Sequence, residues 1–158
     1  MNLIVAVDEN WAIGKGGDQL VYISADLKRF KELTTGHPVI LGRKTLATFP
    51  GGRPLKNRRN LILSTTPGYT VEGAEVFSDI PSLLASAPED AFVIGGESVY
   101  RALFDKCDTA YVTKILSAFP ADRWFPDLDA HPDWAVWEES EVLEEDGVQF
   151  RYVTYRKV

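Results

Sequence analysis

The chain has 158 residues, of which 45% are hydrophobic and 25% charged; these proportions fit one globular domain with its own core and exclude a disordered chain. The formal net charge of −6 argues against non-specific binding to nucleic acid or to anionic membranes, because both need a positive field. Cys107 is the one cysteine, no apolar run approaches a membrane span, and the first ten residues lack a signal peptide's basic region, so we expect a cytoplasmic protein.

Apolar runs and amphipathic segments alternate along most of the chain. Nearly continuous apolar runs predict buried strands, and the amphipathic segments between them predict helices. In chain order, the pattern predicts a strand at 2–7, a helix at 25–35, a strand at 38–42, a helix at 44–48, a strand at 60–64, a helix at 80–87, a strand at 91–95, a helix at 97–106 and a strand at 109–115. This alternation is typical of a mainly parallel sheet with helices on both faces.

The C-terminal part has a different pattern. Residues 134–141 and 148–156 alternate between polar and apolar side chains and flank the turn sequence EEDG, which predicts an antiparallel hairpin. No repeat, low-complexity tract or linker divides the chain. We therefore expect a single α/β domain over 1–158, with a mixed, mostly parallel sheet and the hairpin at its edge.

Asp26 lies in the first turn of the predicted helix at 25–35, which Ser24 is expected to cap. At 100° per residue, it shares a face with Phe30 and Leu33. One interpretation is that this carboxylate only complements the helix dipole. The other is a partly buried carboxylate that binds a cationic or amidine-like ligand group. The apolar face favours the second, because a dipole partner has no reason to point inward and an unpaired buried charge is costly.

Polar or glycine-rich sequences follow three of the predicted strands. GRKT at 42–45 combines two cations with a hydroxyl, STT at 64–66 adds hydroxyls, and IGGES at 94–98 lets a backbone approach a ligand closely. Each one is also compatible with an ordinary solvated turn. Ligands of parallel sheets bind beyond the carboxyl ends of the strands, so we expect the three motifs to meet. Together they fit a ligand with several phosphates, such as a dinucleotide, and cations beside hydroxyls suit a 2′-phosphate.

The segment GRPLKNRR at 52–59 is strongly basic, with four cationic residues among eight. It is either a solvated loop or a site that captures a carboxylate, for which arginine is well shaped. His37 and His131 each precede a proline and have no cysteine or histidine companions, so no metal site is predicted.

These segments, in their order and spacing, resemble the bacterial-type dihydrofolate reductases over the whole chain. The matching segments are IVAVDENWAIGKGGD, SADLKRFKELT, HPVILGRKT, GRPLKNRRNLILS, VIGGESVY, and TKI followed by WFPD. The resemblance implies that family's eight-stranded α/β fold and an NADPH-dependent reductase. The implied reaction passes a hydride from C4 of the nicotinamide to C6 of 7,8-dihydrofolate, with protonation of N5. The product, 5,6,7,8-tetrahydrofolate, would support one-carbon metabolism and thymidylate synthesis.

The resemblance implies that Asp26 grips the N3 and 2-amino edge of the pterin and that Thr113 orients Asp26 through a hydrogen bond. The apolar surroundings of Asp26 favour a raised pKa for its carboxyl. The resemblance places Arg58 on the glutamate α-carboxylate of the substrate. The other implied substrate contacts are Ile4, Val5, Ala6, Leu27, Phe30, Phe49, Leu55, Ile94 and Tyr100.

NADPH is the implied cofactor. Arg43, Ser64 and Thr65 match the family's 2′-phosphate site, and Lys44 and Thr45 match its pyrophosphate site. The implied cofactor contacts are Ala6, Ile13, Gly14, Gln19, Gly42, Arg43, Lys44, Thr45, Leu63, Ser64, Thr65, Ile94, Gly95, Gly96, Glu97, Ser98, Val99 and Tyr100. The implied ligands are dihydrofolate and antifolate inhibitors, with no metal, nucleic acid or membrane, and we expect a monomer.

Segment 14–23 corresponds to the family's mobile loop over the nicotinamide, and Asp122 to a residue that helps hold it closed. The family usually has Leu-Pro-Trp in this loop and a proline shortly before the catalytic aspartate. This chain has QLV at 19–21 and Ser24 instead. We therefore expect altered loop closure, substrate binding and antifolate sensitivity. The open alternatives are an NADPH-dependent reductase of another pterin or a pyrimidine, and a non-catalytic folate-binding protein.

Overall fold

The computed structural model describes all 158 residues. Its strands are β1 (Asn2–Val7), β2 (Ala12–Gly14), β3 (Val39–Gly42), β4 (Asn60–Leu63), β5 (Glu75–Phe77), β6 (Phe92–Gly95), β7 (Thr109–Ile115), β8 (Arg123–Trp124), β9 (Trp134–Glu139), β10 (Leu143–Glu145) and β11 (Val148–Lys157). Its helices are α1 (Ser24–Thr34), α2 (Arg43–Ala47), α3 (Ile80–Ser86) and α4 (Glu97–Leu103), with short 3₁₀ turns at Pro50–Gly52 and Phe104–Lys106. No helix has both the length and the apolar character that crossing a membrane requires.

One sheet contains nine of the strands, in the order β10-β11-β7-β1-β6-β3-β4-β5, with β9 also paired to β11. The central pairs are parallel, and β11 runs antiparallel to β7. The predicted mixed, mostly parallel sheet is therefore confirmed. The terminal hairpin is also present, but its first strand is divided: β10 pairs with Val148–Phe150 of β11, and β9 pairs with Val153–Lys157, with a bulge between Thr154 and Tyr155.

Both faces of the sheet are buried, which explains the continuous apolar runs of its central strands. In β1, Leu3, Val5 and Val7 belong to a cluster that includes buried side chains of α3 and α4. Ile4 points the other way, into a second cluster against which Phe30 and Leu33 of α1 pack. The face of α1 predicted from its periodicity is therefore the face that packs on the sheet.

The structure also contains pairings that no apolar run predicted. β2 pairs with β8 in a separate two-stranded sheet. Nearby, the buried Asp8 carboxylate accepts hydrogen bonds from the backbone N–H groups of Asn10, Ala12 and Phe119 at 2.8, 3.0 and 2.9 Å. These contacts hold the chain after β1 against the chain after β7. Long-range contacts of single residues leave no periodic signal in the sequence.

The prediction that Ser24 caps α1 is wrong. The helix already includes Ser24, its N-cap is Ile23, and no side chain near it in sequence caps it. The free N–H groups of Ser24 and Ala25 donate instead to the carboxylate of Glu145, the last residue of the edge strand β10. A cap from so far along the chain is invisible to reasoning from local sequence.

Candidate active site

One large cleft, of about 1220 Å³, crosses the molecule at the carboxyl ends of the parallel strands. The structure brings together every residue that the sequence assigned to the substrate and cofactor sites, with the exception of Arg58. Arg58 lies outside the lining, where its guanidinium donates to the Thr34 hydroxyl at 3.0 Å and to the Lys56 carbonyl at 2.8 Å. It therefore stands beside the end of α1 with a fixed orientation.

Asp26 and Thr113 form a hydrogen-bonded pair in the wall of the cleft. Thr113 on β7 is 3% exposed, and its Oγ1 donates to Asp26 Oδ1 at 2.5 Å. Asp26 Oδ2 accepts no hydrogen bond from the protein, although the residue lines the cleft. Burial raises the pKa of the Asp26 carboxyl, while the Thr113 hydrogen bond and the charge of Arg29 oppose that rise. The pair thus offers one free carboxylate oxygen with increased proton affinity.

Apolar and backbone groups surround this carboxylate. The Tyr100 hydroxyl donates to the Ile4 carbonyl at 2.7 Å, which fixes α4 against β1 at the floor of the cleft. Burial raises the pKa of Tyr100, so its hydroxyl stays protonated. Leu27 keeps 44% of its surface exposed, and it is one of the cleft's apolar wall residues. A flat, amphipathic ring fits such a wall with its polar edge toward Asp26.

The other end of the cleft carries cations, hydroxyls and glycines. Arg43 and Lys44 line it, and neither has a carboxylate within ion-pair distance. Gly95 and Gly96 lie against Thr45: a Cβ at these positions would approach its hydroxyl to 3.4 and 3.3 Å. Gly95 also has a φ of 138°, which favours glycine. The unpaired cations and the open backbone form a site suited to a phosphorylated ligand.

The segment at 14–23 covers one side of the cleft, and one hydrogen bond ties it to the rest of the protein while another braces it internally. The Gly16 N–H donates to the Asp122 carboxylate at 3.0 Å, and the Tyr22 hydroxyl donates to the Asp18 carboxylate. Gly14 fits here because a Cβ would come within 2.8 Å of the Asp18 carbonyl oxygen. Val21 packs against the small buried cluster of Ile23, Ile115 and Phe150. The structure therefore holds this loop against the body of the protein without a proline or a tryptophan.

The cleft lining also includes residues that the sequence analysis did not assign to a site, among them Tyr22, Arg29 and Arg123. Arg29 carried a usable signal, because it follows Asp26 by three positions and such residues are neighbours on a helix surface. Tyr22 lies in a loop and Arg123 in the short strand β8, where no hydrophobic periodicity predicts which side chains face the cleft.

A single α/β domain with a polyphosphate-type site at one end of its cleft and a half-buried carboxylate at the other defines a dinucleotide-dependent enzyme. The family profile described as "Dihydrofolate reductase" matches residues 1–157. The chain belongs to the dihydrofolate reductase family.

Individual relatives agree with this assignment. The chain is 37% identical over 161 residues to the dihydrofolate reductase of Bacillus subtilis (strain 168), covering 99% of this chain and 94% of that protein. It is 33% identical to the dihydrofolate reductase HdrB of Haloferax volcanii, covering 98% and 82%. A solved dihydrofolate reductase from Enterococcus faecalis, complexed with NADP(H) and RAB-propyl, superposes with a TM-score of 0.87 at 34% identity, covering 99% and 95%.

Proposed function

We propose that this chain reduces 7,8-dihydrofolate to 5,6,7,8-tetrahydrofolate at the expense of NADPH, as its family membership indicates. The observation that carries the proposal is the Asp26–Thr113 pair, which lies in the same cleft as the unpaired cations Arg43 and Lys44. A pterin edge and a nucleotide phosphate would thus be held in one continuous space. The solved relative with NADP(H) in its complex supports the choice of cofactor.

In this proposal, Asp26 binds the substrate by its polar edge. The two oxygens of the Asp26 carboxylate accept hydrogen bonds from the N3–H and 2-amino groups of the pterin, while Thr113 also donates to Oδ1. A carboxylate there stabilises positive charge on the ring, so that the ring accepts a proton at N5 through solvent more readily. Leu27, Phe30 and Phe49 are the apolar walls of this part of the cleft. Arg58 would bind the glutamate carboxylate of the substrate, and its hydrogen bond to Thr34 already orients the guanidinium.

The residues at the other end fit the proposed cofactor. Arg43 with Ser64 and Thr65 would bind the 2′-phosphate, and Lys44 with Thr45 would bind the pyrophosphate. When bound, NADPH supplies the hydride that reduces C6. The remaining proposed contacts are the backbone and side chains around Ile13, Gly14, Gln19, Gly42, Leu63 and residues 94–100.

We also propose that the protein acts as a monomer in the cytoplasm. One chain supplies both ends of the cleft and the loop over it. A lone thiol suits a reducing compartment, and burial raises the pKa of Cys107 to about 11, which keeps it unreactive.

The test is an assay with purified protein, NADPH and dihydrofolate, following the absorbance of the reduced cofactor, with Asp26→Asn alongside. Turnover that depends on dihydrofolate and falls at least about a hundredfold in the variant is expected. If both ligands bind without turnover, the protein is a folate-binding protein. If NADPH binds and dihydrofolate does not, a different pterin or a pyrimidine is the substrate.

A further inference from the structure

Arg29 is a cation of the cleft that pairs with no carboxylate. It follows Asp26 by one helical turn and lines the same cleft. The carbon of its guanidinium lies 4.1 Å from the centroid of the Tyr152 ring, while no carboxylate oxygen lies within 4.0 Å of its nitrogens. An aromatic face therefore holds this cation in place. Because Arg29 does not occupy the Asp26 carboxylate, the free oxygen of that group stays available to a ligand.

Tyr152 and Asp26 are connected through Thr113. Tyr152 on β11 is the cross-strand partner of Thr113 on β7, and Thr113 donates to Asp26. The ring that holds the cation and the hydroxyl that holds the carboxylate therefore stand side by side on neighbouring strands. The charges of Asp26 and Arg29 therefore stay close together, since Thr113 on β7 holds the carboxylate and Tyr152 on β11 holds the guanidinium.

Arg29 is the positively charged side chain among the groups that shift the pKa of Asp26. Its positive charge opposes the burial that raises the pKa of Asp26, and the Asp26 charge in turn opposes the lowering of the Arg29 pKa by burial. Tyr100 and Tyr152 have raised pKa values and stay neutral. The titratable groups around Asp26 and Arg29 are Glu32 on α1, Tyr100 on α4, Tyr111 on β7, Glu145 on β10 and Tyr152 on β11.

We propose that Arg29, held on the ring of Tyr152, sets how readily the Asp26 pocket takes up positive charge, and thereby the preference of the pocket for neutral over protonated heterocyclic ligands. A proton on Asp26 and a protonated ligand beside it both bring positive charge next to the guanidinium, which disfavours both. The pterin ring of dihydrofolate is neutral at pH 7, whereas a 2,4-diaminopyrimidine is a base, and a neighbouring carboxylate favours its protonated form. This inference rests on the proposed function for the substrate class, and its test is independent of turnover.

The test compares Arg29→Gln with Lys28→Gln. Both variants remove one positive charge from α1, but Lys28 is exposed and lies outside the cleft lining. The first readout is the titration of the Asp26 carboxyl by ¹³C NMR, assigned by the loss of its signal in Asp26→Asn. The second is the Kd of 2,4-diamino-5-benzylpyrimidine at neutral pH. Neither measurement needs catalysis, so a protein without dihydrofolate turnover would refute the proposed function while this test still gives an answer.

In Arg29→Gln the titration of Asp26 is expected to move to higher pH. The pyrimidine should bind roughly three- to tenfold more tightly, the effect of a unit charge removed from a half-exposed site. Lys28→Gln should match the parent in both. If the two glutamine variants behave alike, or if Arg29→Gln weakens pyrimidine binding, the proposal is overturned.

Two substitutions of Tyr152 test whether its ring holds Arg29 in place. Tyr152→Phe keeps the ring and should leave the Asp26 titration unchanged. Tyr152→Leu removes the ring, so Arg29 can turn to solvent, and the titration should shift in the same direction as in Arg29→Gln but by less. An unchanged titration in Tyr152→Leu would show that the ring does not hold the charge, which contradicts the proposal.

Discussion

Glu145 caps a helix that lies about 120 residues before it in the chain. Its carboxylate accepts hydrogen bonds from the backbone N–H of Ser24 at 2.5 Å and of Ala25 at 3.0 Å. The first turn of α1, which carries Asp26, is thereby fixed to the terminal hairpin. The family usually has a proline shortly before its catalytic aspartate, and proline has no N–H to donate. Serine at position 24 supplies such a donor in this chain, so the hairpin can hold the helix.

Glu145→Ala should therefore loosen the first turn of α1. We expect the free energy of unfolding to fall by about 1 kcal/mol, through the lost cap and the lost interaction with the helix dipole. The KM for dihydrofolate should rise more than kcat falls, because the Asp26 carboxylate, which we propose binds the substrate, becomes less well placed. Urea titration and steady-state kinetics measure the two effects. Glu144→Ala is the control, since Glu144 is exposed and makes no hydrogen bond to α1; equal losses in both variants would contradict the capping role.

Arg43→Ala should reduce the preference for NADPH over NADH. Arg43 begins α2 at the end of β3, close in the fold to the hydroxyls that follow β4, and it has no ion-pair partner in the protein. Loss of a hydrogen bond to a charged phosphate costs roughly 1.5–3 kcal/mol, which is about ten- to a hundredfold in kcat/KM for NADPH. The value for NADH should change little. Arg53→Ala, a cation outside the cleft lining, is the control; a variant of Arg43 that still discriminates like the parent would refute the 2′-phosphate assignment.

The sequence was a good guide wherever burial imposes a period. The helical face of Asp26 and the strand β1 were predicted because each packs on a buried surface and repeats its apolar residues accordingly. The strand ends could also be predicted to meet, since parallel strands share an edge. The cap from Glu145 and the contact of Arg29 with the Tyr152 ring could not be predicted, because each is a contact between single residues of distant segments. Only the folded chain brings such pairs together.

The loop at 14–23 provides a third prediction. The double variant Leu20→Pro with Val21→Trp restores the residues that the family usually has there. Proline lowers the freedom that the unfolded loop loses on closing, and the larger, aromatic side chain at position 21 extends the apolar contact that Val21 makes with Ile115 and Phe150. We expect a lower KM for dihydrofolate in steady-state assays. Leu20→Ala with Val21→Ala is the comparison in the opposite direction, and unchanged KM and kcat in the restored loop would show that closure does not depend on these side chains.

Asp26→Asn should make the protein more stable while it removes activity. Burial raises the pKa of the Asp26 carboxyl above the ordinary value of 3.8, so the folded state binds this proton more tightly than the unfolded state does. The contribution of Asp26 to stability is therefore fully present below about pH 4 and is lost as pH rises through the raised pKa of the folded state. At neutral pH the ionised carboxylate is a net cost to folding. Asparagine avoids that cost and can still accept the hydrogen bond from Thr113.

The free energy of unfolding of Asp26→Asn should accordingly exceed that of the parent by roughly 0.5–2 kcal/mol at pH 7, the range that single stabilising substitutions commonly give. The difference should shrink as the pH falls toward about 4, and below that pH Asp26 becomes protonated in both states. Urea denaturation from pH 4 to pH 8 measures this. Asp105→Asn is the matched control, because Asp105 is exposed and its carboxylate has no hydrogen-bond partner. If the stabilisation is the same at every pH, asparagine stabilises the fold through packing. The ionised carboxylate of Asp26 would then impose no cost on folding, which contradicts the prediction.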